Sequence, residues 1–265
     1  MNFIINNESA LRLSAFIIIL LLIFLMELVF PIYKRKVKSY KRWLINFSFV
    51  FINTVTLRLL FPLLAVGFAS ICANYNIGIF NYFNISELIA ISLSFLLLDL
   101  GIWLQHLLFH HISFLWRFHK IHHSDEEVDL STGVRFHPLE IIISMVFKFI
   151  LIAIIGPSIA LVIIFEIILN ASSVFNHGNI KISKKYDLIL RKLIVTPNMH
   201  RIHHSEEEKE TNSNFGFNFS FWDKLFGTYK KNASKGKNIV LGLEEFNNLK
   251  SKGFFMLMLK PFLNK

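Results

Sequence analysis

Two nine-residue segments of this chain carry histidine at the same spacing. The segment HKIHHSDEE at 119–127 returns as HRIHHSEEE at 200–208, with histidines at positions i, i+3 and i+4 and an acidic end. On a helix these positions lie within one arc of about 100°, which directs three imidazoles from one face. Neutral imidazole is a good ligand for iron, zinc, copper or nickel. The segments therefore predict a metal site, the alternative being two histidine-rich surface turns.

Three further histidines extend this set. His106 and His110 share a helix face at the end of an apolar segment, and His177 directly follows another apolar segment. Nine neutral ligands are too many for one ion and suit two ions with four or five each. The candidate metal ligands are His106, His110, His119, His122, His123, His177, His200, His203 and His204.

Three other residues are candidates for supporting these ligands. Asp99 and Trp103 precede His106 on the same helix face, so we expect them in supporting positions at the catalytic site. His137 precedes a helix that would begin at Pro138. It could cap that helix, bind metal or support a ligand, and we favour support.

The remaining polar residues near the histidines are open to other interpretations. The acidic residues 125–127 and 206–208 either hold the distal imidazole nitrogens or form a solvated face. His111 points away from His110 around the helix, so we expect it at the membrane interface rather than at a metal.

The composition indicates a membrane protein. Of the 265 residues, 54% are hydrophobic and 17% are charged, whereas about a quarter of the residues of a soluble domain are charged. The single cysteine, Cys72, excludes an intrachain disulfide and argues against thiolate ligands. The net charge of +10 comes from basic residues beside apolar segments, which indicates membrane orientation and anionic lipid rather than nucleic acid.

The apolar segments predict about four to five membrane helices. Residues 10–33, 44–72 and 87–112 are each long enough to span a bilayer, and the first is too long for a cleavable signal peptide. Residues 139–175 are broken at Gly156-Pro157, which predicts a helical hairpin that enters and leaves from the cytoplasmic side.

The distribution of basic residues predicts the orientation of these spans. Residues 73–86 contain no lysine or arginine, so we expect them outside, whereas 34–42 should be cytoplasmic. Every histidine then lies at or beyond the cytoplasmic end of a span. The basic residues of the cytoplasmic loop are Lys34, Arg35, Lys36, Lys38, Lys41 and Arg42.

Two charged residues fall within predicted spans. Arg58 and Asp99 lie near the middle of neighbouring antiparallel helices, and unpaired charges at that depth are costly. We expect them to form a pair or to face a water-filled cavity. Alternatively, Asp99 steadies an imidazole of another segment.

The histidine motifs, in this order, resemble those of the fatty acid hydroxylase/sterol desaturase superfamily of membrane di-iron enzymes. The resemblance covers about 95–230 and includes LWRFH at 115–119, TPNMHR at 196–201, NFG at 214–216 and FWDKLFGT at 221–228. It implies an all-α integral membrane protein with a cytosolic, histidine-rich helical cap that holds a dimetal site. We expect a single domain, with residues 1–94 as membrane scaffold, 95–230 as catalytic region and 231–265 as tail.

The sequence departs from that pattern at one position. Some members carry a second histidine after the position of His177, whereas Gly178, Asn179 and Ile180 follow here. Asn179 or a water molecule would then take its place, or one metal would have one ligand fewer.

The resemblance implies an O2-dependent lipid hydroxylase or desaturase with two iron ions, acting on a sterol, a fatty acyl chain or a related lipid. Zinc could replace iron on recombinant expression. No cytochrome b5-like or flavin-binding segment is evident, so a separate ferredoxin or cytochrome b5/reductase would supply electrons.

Two other functions use the same histidines. A divalent-metal transporter would hold its sites near mid-membrane on broken helices, whereas these motifs lie at span ends. A zinc membrane hydrolase would be expected to carry a motif such as His-Glu-x2-His, which this sequence lacks.

Overall fold

Five segments of the computed structural model are helical, long and apolar enough to cross a membrane. The structure describes residues 5–35, 39–83, 85–246 and 253–263, so Lys36 and Lys38 of the predicted cytoplasmic loop lie outside the described residues. Within those ranges there is no β-strand, only isolated bridges such as Pro31 with Ile180. The prediction of an all-helical membrane bundle is confirmed.

The helices are numbered here in chain order. Those of the membrane bundle are α1 (Glu8–Val29), α2 (Ser39–Leu60), α3 (Ala65–Asn74), α4 (Ile79–Tyr82), α5 (Glu87–His111), α7 (Pro138–Ile155) and α8 (Ile159–His177). Those outside it are α6 (Ser113–His123), α9 (Lys184–Leu190), α10 (Pro197–His203), α11 (Glu208–Thr211), α12 (Phe221–Leu225) and α13 (Phe254–Leu259).

The second span is broken between α2 and α3. The interruption lies at residues 61–64, where Pro62 has no backbone N–H to continue the helix. Ala65, Ala69 and Cys72 of α3 then pack in an apolar core with residues of α7 and α8.

The hairpin of α7 and α8 turns at a glycine and restarts at a serine. Gly156 ends α7 in the left-handed conformation (φ 71°), and its N–H donates to the Ile152 carbonyl at 2.8 Å. Ser158 then caps α8 by accepting from the Leu161 N–H at 3.3 Å. Both arms begin or end at the histidine-bearing side, as the sequence predicted.

The tip of this hairpin reaches the connection between the second and third spans. A Cβ atom added to Gly78 would lie 2.4 Å from the Gly156 Cα, so only glycine allows this approach of the two backbones. Gly78 precedes α5, whose other end carries His106 and His110, so the tip of the hairpin lies at the end of the bundle away from these histidines.

Helix α8 organises the bundle around the histidines. It packs against α1, α3 and α10, and it ends at His177. In contrast, α1 exposes large apolar side chains such as Leu13, Ile18 and Leu25, which suits contact with lipid. Among the candidate spans, α8 has the largest buried share, and it carries the candidate metal ligand His177.

Candidate metal centre

The nine predicted histidines are brought together in two groups at one end of the bundle. Within each group the nitrogens that could hold a metal all lie within 4.8 Å of one another, and all nine residues are buried. The first group is His106, His110, His119, His123 and His203. The second group is His122, His177, His200 and His204. The predicted division into five and four ligands therefore matches the geometry.

In each triplet the middle histidine belongs to a different group from the two outer histidines. His119 and His123 belong to the first group and His122 to the second. The helix explains this split, because positions i and i+4 differ by about 40° around the axis while i+3 lies about 60° to the other side. The second triplet repeats the exchange in reverse, so each triplet contributes to both groups.

The two groups are in direct contact. The rings of His123 and His204, one from each group, stack with centroids 4.4 Å apart and planes inclined by 17°. His200 and His203 approach in the same way, at 5.0 Å. The two groups therefore form one centre rather than two separate sites.

Local capping places the second triplet. Helix α10 begins at Pro197, and the Thr196 hydroxyl accepts from the Met199 N–H at 3.3 Å. Proline at the first position and threonine before it fix the start of a helix. The start at 197 sets the phase of His200, His203 and His204.

Backbone carbonyls fix the orientation of several imidazole rings. The Nδ1 atoms of His106, His122 and His203 lie 2.8, 3.2 and 2.7 Å from the carbonyl oxygens of residues 215, 135 and 213. The Nδ1 of His177 lies 2.6 Å from the Ser173 carbonyl. A carbonyl can only accept, so Nδ1 carries the proton and the lone pair is on Nε2.

The Nε2 atoms of the second group converge on His177. The His177 Nε2 lies 3.0 Å from the Nε2 atoms of His122, His200 and His204. For His122 and His177 both Nδ1 atoms hold the proton, so two lone pairs face each other and no hydrogen bond can form. A cation bound by both nitrogens removes the repulsion.

The first group shows the same property. The Nε2 atoms of its histidines are buried and have no hydrogen-bond partner among the described residues. Each buried acceptor left without a partner costs about 1–3 kcal/mol. The residues therefore fit two metal ions held by imidazole.

The histidines are in the protonation state that metals require. Burial lowers the pKa of His119 to about 3 and lowers those of His122, His123, His200, His203 and His204 well below the usual value. In this second set the nearby histidines lower the pKa further, since two imidazolium charges would repel. All six are therefore neutral near pH 7.

Glu140 is a partner of the site that the sequence analysis did not identify. Its Oε1 lies 2.7 Å from the His119 Nδ1, and the residue is 4% exposed. A carboxylate behind a metal-binding imidazole orients the ring and raises its basicity. The available signal was an acidic residue in the first turn of the helix that follows His137 and Pro138.

Three of the acidic residues after the triplets, Asp125, Glu206 and Glu207, pair with basic side chains. Asp125 lies 2.7 Å from Arg42 and accepts from Thr132 at 2.7 Å. Glu206 and Glu207 pair with Lys235 at 3.3 and 3.4 Å. For these three residues the interpretation as partners of the distal imidazole nitrogens is wrong, because backbone carbonyls, Asn212 and Glu140 take that role for the imidazoles with such contacts.

Three other predicted residues lie at the edge of the centre. The Asn179 Oδ1 accepts from the N–H groups of residues 32 and 33, both at 3.2 Å, so Asn179 is not in either group. The His137 Nδ1 caps α7 by accepting from the Leu139 N–H at 3.2 Å, and its Nε2 lies 3.2 Å from the Met258 carbonyl. His111 is exposed and lies outside both groups, as predicted.

Asp99 accepts hydrogen bonds from residues 218–222 and does not pair with Arg58 or a histidine. Its carboxylate accepts from Asn218 at 2.8 Å and from Trp222 at 2.9 Å. The Arg58 side chain is exposed, and no ion pair joins it to Asp99 within the described ranges. The predicted pairing of these two charges is wrong, because a neighbouring loop supplies neutral donors to the buried carboxylate.

Trp103 also bonds to this part of the chain, through Asp223 of α12. Its Nε1 donates to the Asp223 Oδ1 at 3.0 Å, and Asp223 accepts from the N–H groups of Phe215 and Gly216 at 2.8 and 2.9 Å. Phe215 in turn presents its carbonyl to the His106 Nδ1. A chain of hydrogen bonds through Asp223 and Phe215 therefore links Trp103 to His106.

A cavity of about 380 Å³ opens beside the first group. It reaches His106 and His119, and much of its wall is apolar. The apolar side chains of this wall include Phe16, Leu57, Ile102, Phe109 and Leu169. A lipid chain placed here would lie against two candidate ligands of the metal centre.

Comparison with known proteins identifies relatives of the histidine-bearing region. A family model described as fatty acid hydroxylase matches residues 91–228. The chain is 28% identical over 174 residues to an ornithine lipid hydroxylase of Rhizobium tropici, covering 65% of this chain and 50% of that protein. It is 30% identical over 155 residues to the alkylglycerol monooxygenase of Homo sapiens, covering 57% and 32%. The chain thus spans half or less of the length of these relatives, and no solved structure matches it.

Proposed function

The chain belongs to the fatty acid hydroxylase family, and we propose that it hydroxylates a membrane lipid at a centre of two iron ions held by its nine clustered histidines. The observation that carries this proposal is the convergence of nine buried imidazoles in two adjoining groups beside an apolar cavity, with the Nε2 atoms of the first group left without partners. This observation adds to the family assignment a set of nine imidazoles that suits two metal ions.

Iron is the metal we propose, with O2 as the second substrate. Unactivated C–H bonds require an oxidant, and bound iron would supply it by reacting with O2. Zinc has no redox chemistry, although the same imidazoles would bind it during recombinant expression.

The protein's own residues would orient the metals and the lipid. Backbone carbonyls and Glu140 hold the imidazole rings with Nε2 toward the metals. The apolar wall would exclude water from the reacting chain and place it against His106 and His119. Asp99, Trp103 and His137 would act from a distance, by holding the segments that pack over the centre.

We propose a lipid as the organic substrate and a separate electron donor as the protein partner. The relatives are named for an ornithine lipid and for alkylglycerols, both of which combine apolar chains with a polar group. A ferredoxin or a cytochrome b5/reductase pair would supply the electrons that O2 reduction requires.

We place the histidines on the cytoplasmic side of a multi-pass membrane protein. Arg42 of the basic loop pairs with Asp125, beside the first triplet, so this loop and the metal centre share one end of the bundle. The positive-inside rule assigns that end to the cytoplasm. The contact also joins the proposed scaffold, 1–94, to the proposed catalytic region, 95–230, in one unit.

The metal-transport alternative gains no support from the relatives, which are named as hydroxylases and monooxygenases. Lipid profiling tests the hydroxylase proposal. Cells with the protein should contain a lipid heavier by one oxygen atom, and cells with an equal amount of the His203→Ala variant should not. An unchanged lipid profile with iron-loaded protein in the membrane would refute the proposal, and loss of two hydrogens would indicate desaturation.

A further inference from the structure

The two cationic side chains of the cavity lie at the end away from the histidines. Its cationic donors are Arg12 and Lys148, and both pair with Glu166, at 3.0 and 2.6 Å. Lys148 lies eight residues beyond Glu140 on α7, which places it about 12 Å from the metal end along the helix. The donors at the far end therefore already have a carboxylate partner.

Three polar residues of the cavity near the histidines have side-chain oxygens without partners. Asn53, Gln105 and Glu140 all line the cavity, and each has a buried side-chain oxygen that no described group donates to. Asn53 and Glu140 are 7% and 4% exposed. Buried polar atoms are normally paired, so three such oxygens in one cavity point to a bound group that hydrogen-bonds with them.

The orientation of the Asn53 amide is fixed by its other contact. Its Nδ2 donates to the Phe136 carbonyl at 2.9 Å, and a flipped amide would set two oxygens against each other. The free atom is therefore the Oδ1, an acceptor. For Glu140, Oε1 serves His119 and Oε2 is the atom without a partner.

These acceptors surround the metal end of the cavity. Glu140 contacts His119, and Gln105 directly precedes His106. The ring of Phe136, whose carbonyl holds Asn53, stacks on His122 with centroids 4.6 Å apart. A substrate donor that meets these oxygens would lie beside the candidate metal ligands.

We propose that the cavity binds its lipid through a hydrogen-bond-donating group, a hydroxyl or an amine, held by Asn53, Gln105 and Glu140 next to the carbon that is oxidised. This proposal rests on the proposed function and adds the substrate class to it. An anionic group is disfavoured at this end, because it would meet the Asn53 Oδ1, which is fixed as an acceptor. The apolar chain of the lipid would extend along Phe16, Leu57 and Leu169.

Binding without turnover tests the proposal. The full-length protein, purified with its metals under anaerobic conditions, is titrated with a long-chain vicinal diol, its dimethyl ether and a long-chain amine, and its melting temperature is followed. Leaving buried acceptors unpaired weakens binding by about tenfold or more. The diol or the amine should therefore bind at least about tenfold more tightly than the ether.

Matched variants connect this preference to Asn53. The preference should shrink to less than about threefold in Asn53→Leu, which has no acceptor. Thr54→Val is the control, because the Thr54 hydroxyl also lines the cavity but donates to the Val50 carbonyl of its own helix at 2.8 Å. If Asn53→Leu fails to reach the membrane, Gln105→Met should weaken the preference in the same way.

The outcomes separate this proposal from the hydroxylase proposal. Equal binding of diol and ether, or an unchanged preference in both Asn53→Leu and Gln105→Met, would overturn the donor site even if the protein oxidises lipid. A donor preference that depends on Asn53 would support the site even in protein that oxidises nothing.

Discussion

The Nε2 atoms of His122 and His177 lie 3.0 Å apart, although the Nδ1 of each ring faces a backbone carbonyl. Both rings therefore present a lone pair to the other, an arrangement that hydrogen bonding cannot stabilise. A metal cation stabilises it. This relationship connects the tautomers, set by the fold, to the chemistry that the family carries out.

Removal of metal should destabilise the protein. Chelation leaves the Nε2 atoms of the first group buried without partners and brings the lone pairs of His122 and His177 face to face, so we expect the melting temperature in detergent to fall by more than about 5 °C. Readdition of ferrous iron under anaerobic conditions should restore it at about two ions per chain. A melting temperature that chelation leaves unchanged would show that the histidines are satisfied without metal.

Because each triplet contributes to both groups, we expect loss of a histidine from either group to abolish activity. His122→Ala removes a ligand from the second group and His203→Ala removes one from the first, and each should abolish oxidation. The double variant should be no worse than either, because residues that act as a unit are not additive.

His111→Ala is the matched control for these variants. Its ring is exposed and outside both groups, so most of the activity should remain. Protein amounts in the membrane must be equal before activities are compared. An active His203→Ala enzyme at equal expression would contradict the metal assignment.

The metal-free protein should become less stable as the pH falls. Burial lowers the pKa of His119 to about 3, and those of His122 and His203 also lie well below the usual value. Because the folded state favours the neutral form, this contribution is complete above the unfolded pKa of about 6.5 and is lost toward the folded pKa. Each histidine that titrates only in the unfolded state should remove about 1.4 kcal/mol of unfolding free energy per pH unit.

Thermal melting of chelated protein between about pH 8 and pH 5 measures this loss. Metal-loaded protein is the control, because bound metal competes with protons for the same Nε2 atoms. Equal melting temperatures of chelated protein across that range would contradict the assignment of buried neutral histidines.

The orientation in the membrane predicts opposite labelling of two engineered cysteines. Tyr75, in the connection expected outside, is 75% exposed, and Glu208 follows the second triplet. In a Cys72→Ala background, an impermeant thiol reagent should modify Tyr75→Cys in intact cells. It should modify Glu208→Cys only after the membrane is opened. Labelling of Glu208→Cys from outside would place the metal centre on the other face.

The spans and the histidine set were predictable because their signals are local. Apolar runs of bilayer length and the i, i+3, i+4 spacing depend only on positions along one helix, and the structure contains the spans and brings the nine histidines together. The exchange of His122 and His203 between groups depends on how α6 and α10 face each other. Sequence spacing gives the phase of each helix but not the partner that it faces.

The supporting contacts were less predictable because most use the backbone. The carbonyls of residues 135, 173, 213 and 215 orient imidazoles, and any residue type provides a carbonyl. Asp99 had no sequence signal for its partners, Asn218 and Trp222, which are far along the chain. Glu140 had only the weak signal of an acidic residue in a first helical turn.

Oxygen-isotope labelling tests the central claim most directly. Protein reconstituted anaerobically with iron is given reductant, a membrane lipid extract and oxygen-18 gas, and the lipids are analysed by mass spectrometry. We expect a lipid that has gained one oxygen-18 atom, with no such product from zinc-loaded protein or from iron-loaded His203→Ala. Protein that carries two irons and yet transfers no oxygen-18 to any lipid, or equal product from zinc-loaded protein, would contradict the claim that these histidines hold an iron centre for lipid hydroxylation.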